Sequence, residues 1–181
     1  MPADGQALGH RLAHPPVALE PLAERHREPL RTACAADREI WAIYPVSLVG
    51  ERFDPRFDAM LTAPACFAVL WDERVVGTTA FLNVDAANAA LEIGATYLAP
   101  EARGGAVNAA IKALMLARAF ALGFTRVEFR VDTRNARSMR AVEKLGAVRE
   151  GTLRRDRVTW TGHVRDTAVY SILAGEWRCG D

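Results

Sequence analysis

Apolar residues recur at Val107, Ile111, Leu114, Met115, Ala119 and Leu122, the three-and-four spacing of one helix face, and Gly123 follows where a helix ends in a left-handed residue. This predicts a helix over Val107–Leu122. Arg126–Val131 alternates Val127, Phe129 and Val131 with charged residues, a half-buried strand. A second helix is expected over Asn135–Leu145, with Asn135 as its N-cap and Gly146 closing it. Upstream, Cys66–Trp71 and Val75–Val84 form a hairpin across Asp72-Glu73-Arg74, and Ala90–Leu98 is a third strand that Pro100 ends. Val148–Arg154 and Thr167–Leu173 close the pattern as an antiparallel pair turning near Thr161-Gly162. At the other end, Val17–Glu20 reads as a short strand and Leu22–Cys34 as a helix. Asp37–Phe57 reads as a second helix within an irregular loop, and Met1–Pro16 as a loose, flexible tail. Strands and helices in this order make a mixed α/β fold.

With 181 residues, half of them hydrophobic and a quarter charged, the chain has material for one core, placed in a single domain over residues 17–181. No run of about 18 apolar residues is present, so no membrane-spanning helix is expected, and Met1–His14 has no secretory apolar region. Cys34, Cys66 and Cys179 are odd in number and scattered, which fits a reducing, cytoplasmic setting and neither a disulfide framework nor a metal pair. His10, His14, His26 and His163 share no metal spacing. A net charge of +1 argues against a nucleic-acid binder, but the charge is uneven: Thr125–Arg165 holds eleven basic and five acidic residues. That local surplus favours a small phosphate-bearing ligand over a long polyanion.

Two segments carry candidate chemistry. Arg103-Gly104-Gly105-Ala106-Val107-Asn108 joins a strand to the long helix. Glycines permit a tight turn and close approach, and the free N–H groups of the helix start favour an anion. The same segment also reads as a plain strand-to-helix turn. Asp132-x-x-Asn135-x-x-Ser138 opens the next helix, where Asn135 equally serves as a cap.

Taken with Leu91-Glu92-Ile93-Gly94-Ala95, Glu143-Lys144-Leu145-Gly146-Ala147, Arg165-Asp166 and Tyr170-Ser171-Ile172-Leu173, these segments resemble the GCN5-related N-acetyltransferases. The resemblance is to the branch that acetylates ribosomal-protein N-termini. It covers roughly residues 17–178 and implies a central, mostly antiparallel twisted sheet of about six to seven strands flanked by about four helices. It implies acetyl-CoA as co-substrate, with Arg103, Gly104, Gly105, Ala106, Val107 and Asn108 cradling the pyrophosphate. It also implies Tyr97 and Leu98 offering backbone to the pantetheine arm, Asn135 beside that arm, and Ser138 near the thioester sulfur. Ala106 and Asn108 depart from the family pattern, which has a glycine and a small residue there. A homodimer through the C-terminal strands follows by analogy.

Acetyl transfer to an amine needs a base, because an amine is largely protonated at pH 7. Glu92, a carboxylate in the apolar run Ala90-Leu91-Glu92-Ile93-Gly94, is the candidate base, and Ser138 the candidate acid or polar partner of sulfur. Glu92 otherwise reads as a solvent-facing strand residue. No cysteine has a histidine pattern for a covalent step, so direct attack in a ternary complex is expected. The acceptor is a peptide N-terminus or a small amine, read by the segment holding Trp41, Tyr44 and Phe53 and by the turn at Trp160–His163. Trp41 and Tyr44 also read as core. The alternative is a non-catalytic acyl-CoA-binding sensor, a reading kept open by Ala106 and by the solvent-facing alternative for Glu92.

Overall fold

The computed structural model describes residues 3–177. Eight strands form one sheet: β1 (Leu12–His14), β2 (Val17–Pro21), β3 (Cys66–Trp71), β4 (Arg74–Asp85), β5 (Ala90–Leu98), β6 (Arg126–Asp132), β7 (Val148–Val158) and β8 (Val164–Leu173). Their spatial order is β1-β2-β3-β4-β5-β6-β8-β7. Four α-helices flank the sheet: α1 (Arg27–Ala35), α2 (Phe53–Leu61), α3 (Ala106–Ala121) and α4 (Ala136–Lys144).

Period-two alternation on the strands and the apolar stripes of the helices decide the layers. Leu91 and Ile93 of β5, and Val127, Phe129 and Val131 of β6, pack with Ile111, Met115 and Leu116 of α3 and Val142 of α4. On the opposite face, α1 and α2 cover the β3–β5 half through Leu30, Cys34, Phe53 and Phe57, which cluster with Trp41 and Tyr97. That face of β6 is instead charged, carrying Arg126, Glu128, Arg130 and Asp132, and continues onto β8 through Ser171 and Thr167. The tip of the β7–β8 hairpin reaches back to the α1–α2 connection: Trp160 Nε1 donates to Trp41 O at 2.7 Å and the Trp160 N–H to Pro45 O at 3.2 Å. Arg52 lies over the Trp160 ring.

The stretch expected to be a loose tail is built into the fold. Leu8 is fully buried, and Leu12 on edge strand β1 joins the same core. Single leucines among polar residues carry no periodic signal, so the sequence conceals this. Trp41 is buried and stacked on Tyr97 with ring centroids 4.6 Å apart, which makes it core. Cys34 and Cys66 are buried free thiols, while Cys179 lies outside the described residues. Among the described residues no helix is long and apolar enough to cross a membrane, and no cluster of three or more His, Cys, Asp or Glu is arranged around a metal.

Candidate active site

The glycine turn has the conformations that its residues allow. Gly104 takes φ +74, the left-handed region, and Gly105 is the extended N-cap of α3. No side chain caps this helix and its first turn holds no acid, so its leading N–H groups face outward unpaired. A Cβ at Gly104 or Gly105 would meet nothing within 4 Å, which leaves open space over the turn. Ala106 is exposed and already helical, so its methyl costs no backbone strain. Val107 points into the core, and Asn108 is half-buried on the first turn. The Arg103 side chain turns inward. Its Nε donates to Leu98 O at 2.6 Å, Nη1 pairs with Asp37, and Nη2 is buried without a partner. Arg103 therefore ties the end of β5 to the α1–α2 connection and offers the turn only its backbone.

β5 and β6 form the one parallel pair described, and it is short: Ala90↔Arg126, Leu91↔Val127 and Glu92↔Glu128. Beyond Glu92 the strands part into a wedge. On its other edge β5 stays bonded to β4, through Thr78↔Tyr97 and Gly77↔Leu98, with an extra residue at Ala95 (φ +49). A bulge of this kind bends a strand and flips its side-chain alternation. Glu92 consequently faces away from α3, while Thr96 faces it. The Tyr97 ring is spent in the core, its hydroxyl donating to Ala33 O at 2.8 Å. Tyr97 and Leu98 thus present only backbone to the wedge.

Glu92 sits at the closed end of the wedge, 7% exposed. Its Oε2 accepts from Asn83 Nδ2 at 2.7 Å, and Arg130 Nε is 3.8 Å away. Asn83 is left-handed (φ +48) at an irregularity of β4, which aims its amide at this carboxylate. A Cβ on Gly94 would come within 2.8 Å of Glu92 Oε1, so the glycine two residues on makes room for the acid. Burial pushes the Glu92 pKa up; Arg130, the Asn83 hydrogen bond and Arg157 oppose the shift. A carboxylate so placed is a base set closer to neutrality than a free glutamate.

Lys112 went unnoticed in the sequence. It lies on α3, 5% exposed, and its Nζ donates to Thr96 Oγ1 at 2.7 Å. Nζ also stands 6.0 Å from the centre of the Phe129 ring, so it reaches across where β5 and β6 separate. Burial lowers its pKa to about 7, against the opposing pull of Glu92. The signal was present: position 112 precedes Met115 and Leu116 by three and four residues, on the apolar stripe rather than the polar face.

At the open end of the wedge, Asn135 Oδ1 accepts from the Ser138 N–H at 3.0 Å, the N-cap of α4. Asn135, Arg134 and Arg137 line an open cavity of about 470 Å³ against Asp37 and Ile40. Asp37 is the residue that pairs with Arg103. The Arg103–Asp37 pair therefore ties the end of β5 to one wall of this cavity, while the turn itself, at Gly105, Ala106 and Val107, lines a second cavity of about 320 Å³ with Val17 and Trp71. Glu92 lies where the β5–β6 pairing ends, and Ser138 is on the first turn of α4.

The model of the acetyltransferase (GNAT) domain family matches residues 17–148. The chain belongs to the GNAT acetyltransferase family. Among solved structures, a GNAT-family protein from Chromobacterium violaceum ATCC 12472 is 30% identical, with 98% of this chain and 92% of that one aligned at a TM-score of 0.90. A GCN5-related N-acetyltransferase from Brucella melitensis is 27% identical, covering 98% and 84% at a TM-score of 0.91. RimJ from Mycobacterium smegmatis, solved in complex with CoA-disulfide, shares the GNAT fold at 22% identity, covering 93% and 89% with a TM-score of 0.78. A search of the curated proteins finds no match.

Proposed function

We propose that this GNAT protein moves an acetyl group from acetyl-CoA to a primary amine, by direct attack within a ternary complex. The observation that carries the reading is the wedge: an unpaired β5 edge running from an uncapped glycine turn to a buried carboxylate. The pyrophosphate of acetyl-CoA takes the N–H groups at Gly104, Gly105 and the first turn of α3. Its pantetheine arm takes the part of the Tyr97–Leu98 backbone that β4 and the Arg103 side chain leave open, with Asn135 alongside. The RimJ complex with CoA-disulfide supports a coenzyme A site on this fold.

In the reaction, Glu92 accepts a proton from the acceptor ammonium, directly or through water, and the freed amine attacks the thioester carbonyl carbon. The oxyanion forms against backbone N–H groups near Tyr97–Leu98. Collapse breaks the C–S bond, and the departing thiolate takes up, through water, the second proton that the nitrogen sheds, with the Ser138 hydroxyl as a polar partner to sulfur. The helical state of Ala106 counts against the non-catalytic sensor reading, because the residue that raised it brings no strain to the turn.

The first test is calorimetric titration with acetyl-CoA, against coenzyme A and ADP. Micromolar binding of acetyl-CoA, followed by thiol release in the presence of an amine panel, is the expected result. Binding without turnover on any amine would restore the sensor reading, and no binding would remove the cofactor site.

A further inference from the structure

The face that carries Glu92 continues across the sheet as a charged field. Strand alternation puts Arg130 and Asp132 on this face, and the pairs Asp132↔Thr167 and Arg157↔Arg165 carry it to β8 and β7. Two features set this field apart from an ordinary lattice of ion pairs. Arg157 and Arg165 stand directly opposite each other in an antiparallel pair, an arrangement in which like charges oppose the pairing. The irregularity between Leu153 and Arg157, with Arg155 at φ +52, brings them into that register.

The second feature is Arg165 itself. It is 4% exposed, its Nη2 donates to Arg130 O at 3.1 Å, and its Nε has no partner. Among the described residues the only carboxylate within reach is Asp132, at 4.0 Å, and Arg134 already holds both oxygens of that group. Asp156 is taken by Thr167 and by Arg157 Nε, and Glu92 by Asn83. A buried guanidinium without a close counter-ion is costly. Burial, and next the facing Arg157, press its pKa downward. The side chains of Arg157, opposite Arg165, and of Arg130, whose carbonyl Arg165 bonds, are 42% and 31% exposed, so two more accessible positive charges flank the buried guanidinium.

We infer that the acceptor carries an anionic group, a carboxylate or a phosphate, which docks between Arg157 and Arg165 while its amine faces Glu92. The inference rests on the acetyl-transfer reading and names the class of acceptor within it. An anion there separates the two arginines, satisfies Nε, and holds the amine near the base.

The test compares kcat/KM for matched acceptors with acetyl-CoA: common α-amino acids against their carboxamides, and aminoalkyl phosphates against the parent amino alcohols. The anionic member of at least one series is expected to be preferred about ten-fold or more, as charge-assisted hydrogen bonds to a guanidinium fork require. The series that shows the preference identifies the anion. In Arg157→Met, at an exposed edge-strand position, the preference is expected to shrink toward unity. Arg165→Lys, which keeps the charge and loses the fork, should reduce it too. The ratio is internal to each variant, so a general loss of activity does not imitate the effect. Equal use of charged and neutral members, or a preference that survives both substitutions, overturns the inference. So does a protein that binds acetyl-CoA and acetylates neither series. A protein that does not bind acetyl-CoA overturns the transfer reading, and the inference with it.

Discussion

Glu92 and Lys112 approach the wedge from opposite faces of β5, and both are shifted toward neutrality by burial. Replacing Glu92 with Gln keeps the shape and the contact with Asn83 but removes the proposed base. The expected loss in kcat/KM at pH 7 is about 10²–10⁴-fold, with less loss at high pH, where free amine no longer needs a base. The acid limb of the native pH–rate profile should lie above the ordinary glutamate range. Lys112 makes a separate prediction about stability. Its folded pKa of about 7 lies below that of an unfolded lysine, so between these values the unfolded chain binds more protons. Stability therefore rises with pH from about 7 to about 9; above that the buried thiols of Cys34 and Cys66, whose pKa values burial raises, oppose the trend. A gain in Tm of roughly 2–5 °C over that window is expected, and Lys112→Met should abolish it. A flat native curve would show that Lys112 stays protonated in the fold. Sequence reading found Glu92 because a lone carboxylate in an apolar strand is conspicuous. It missed Lys112 because a lysine on a surface helix is usually solvated, and only its place on the stripe betrays it.

At the level of elements, α3 and α4 were legible, since spacing and capping residues agree: Gly123 and Gly146 adopt φ +86 and +87, and Asn135 caps as expected. β7 was legible only to Arg154; its last four residues carry three charges and a bulge, and lack apolar alternation. The wedge has no local signal, because nothing in β5 or β6 states that their pairing stops after three residues; only the family resemblance, which puts a pantetheine arm against the backbone of Tyr97 and Leu98, implies it. The β4–β5 contact depends on Gly77, where a Cβ would fall 2.0 Å from Tyr97 O. Gly77→Ala must push the strands apart, with an expected loss of about 1–3 kcal/mol in denaturant unfolding. Gly105 provides the contrast. Its φ of −112 suits any residue and its surroundings are open, so Gly105→Leu should leave Tm nearly unchanged while weakening acetyl-CoA binding. Unaltered affinity would detach the turn from the cofactor.

For the molecule as a whole, the N-terminal stretch is structural. Leu8 is fully enclosed in the main core, so Leu8→Ala should cost about 2–5 kcal/mol, measurable by urea unfolding, and deleting residues 1–14 should cost more. The basic surplus of residues 125–165 divides in three dimensions. Arg126 is spent on Glu128 and Glu150, Arg134 on Asp132 and Arg157 on Asp156, while Arg165, opposite Arg157, has no carboxylate closer than 4.0 Å among the described residues. The short β5–β6 pairing also bears on how the protein holds together. Strands β1–β5 and β6–β8 are two antiparallel sheets stitched by a three-residue seam, with α3 spanning both. Cooperative unfolding has to pass through that stitch. A ligand bonded along the free edge of β5 lengthens the seam, so amide hydrogen exchange in Ile93–Leu98 should slow on ligand addition, with protection spreading to β6 as the halves begin to open as one.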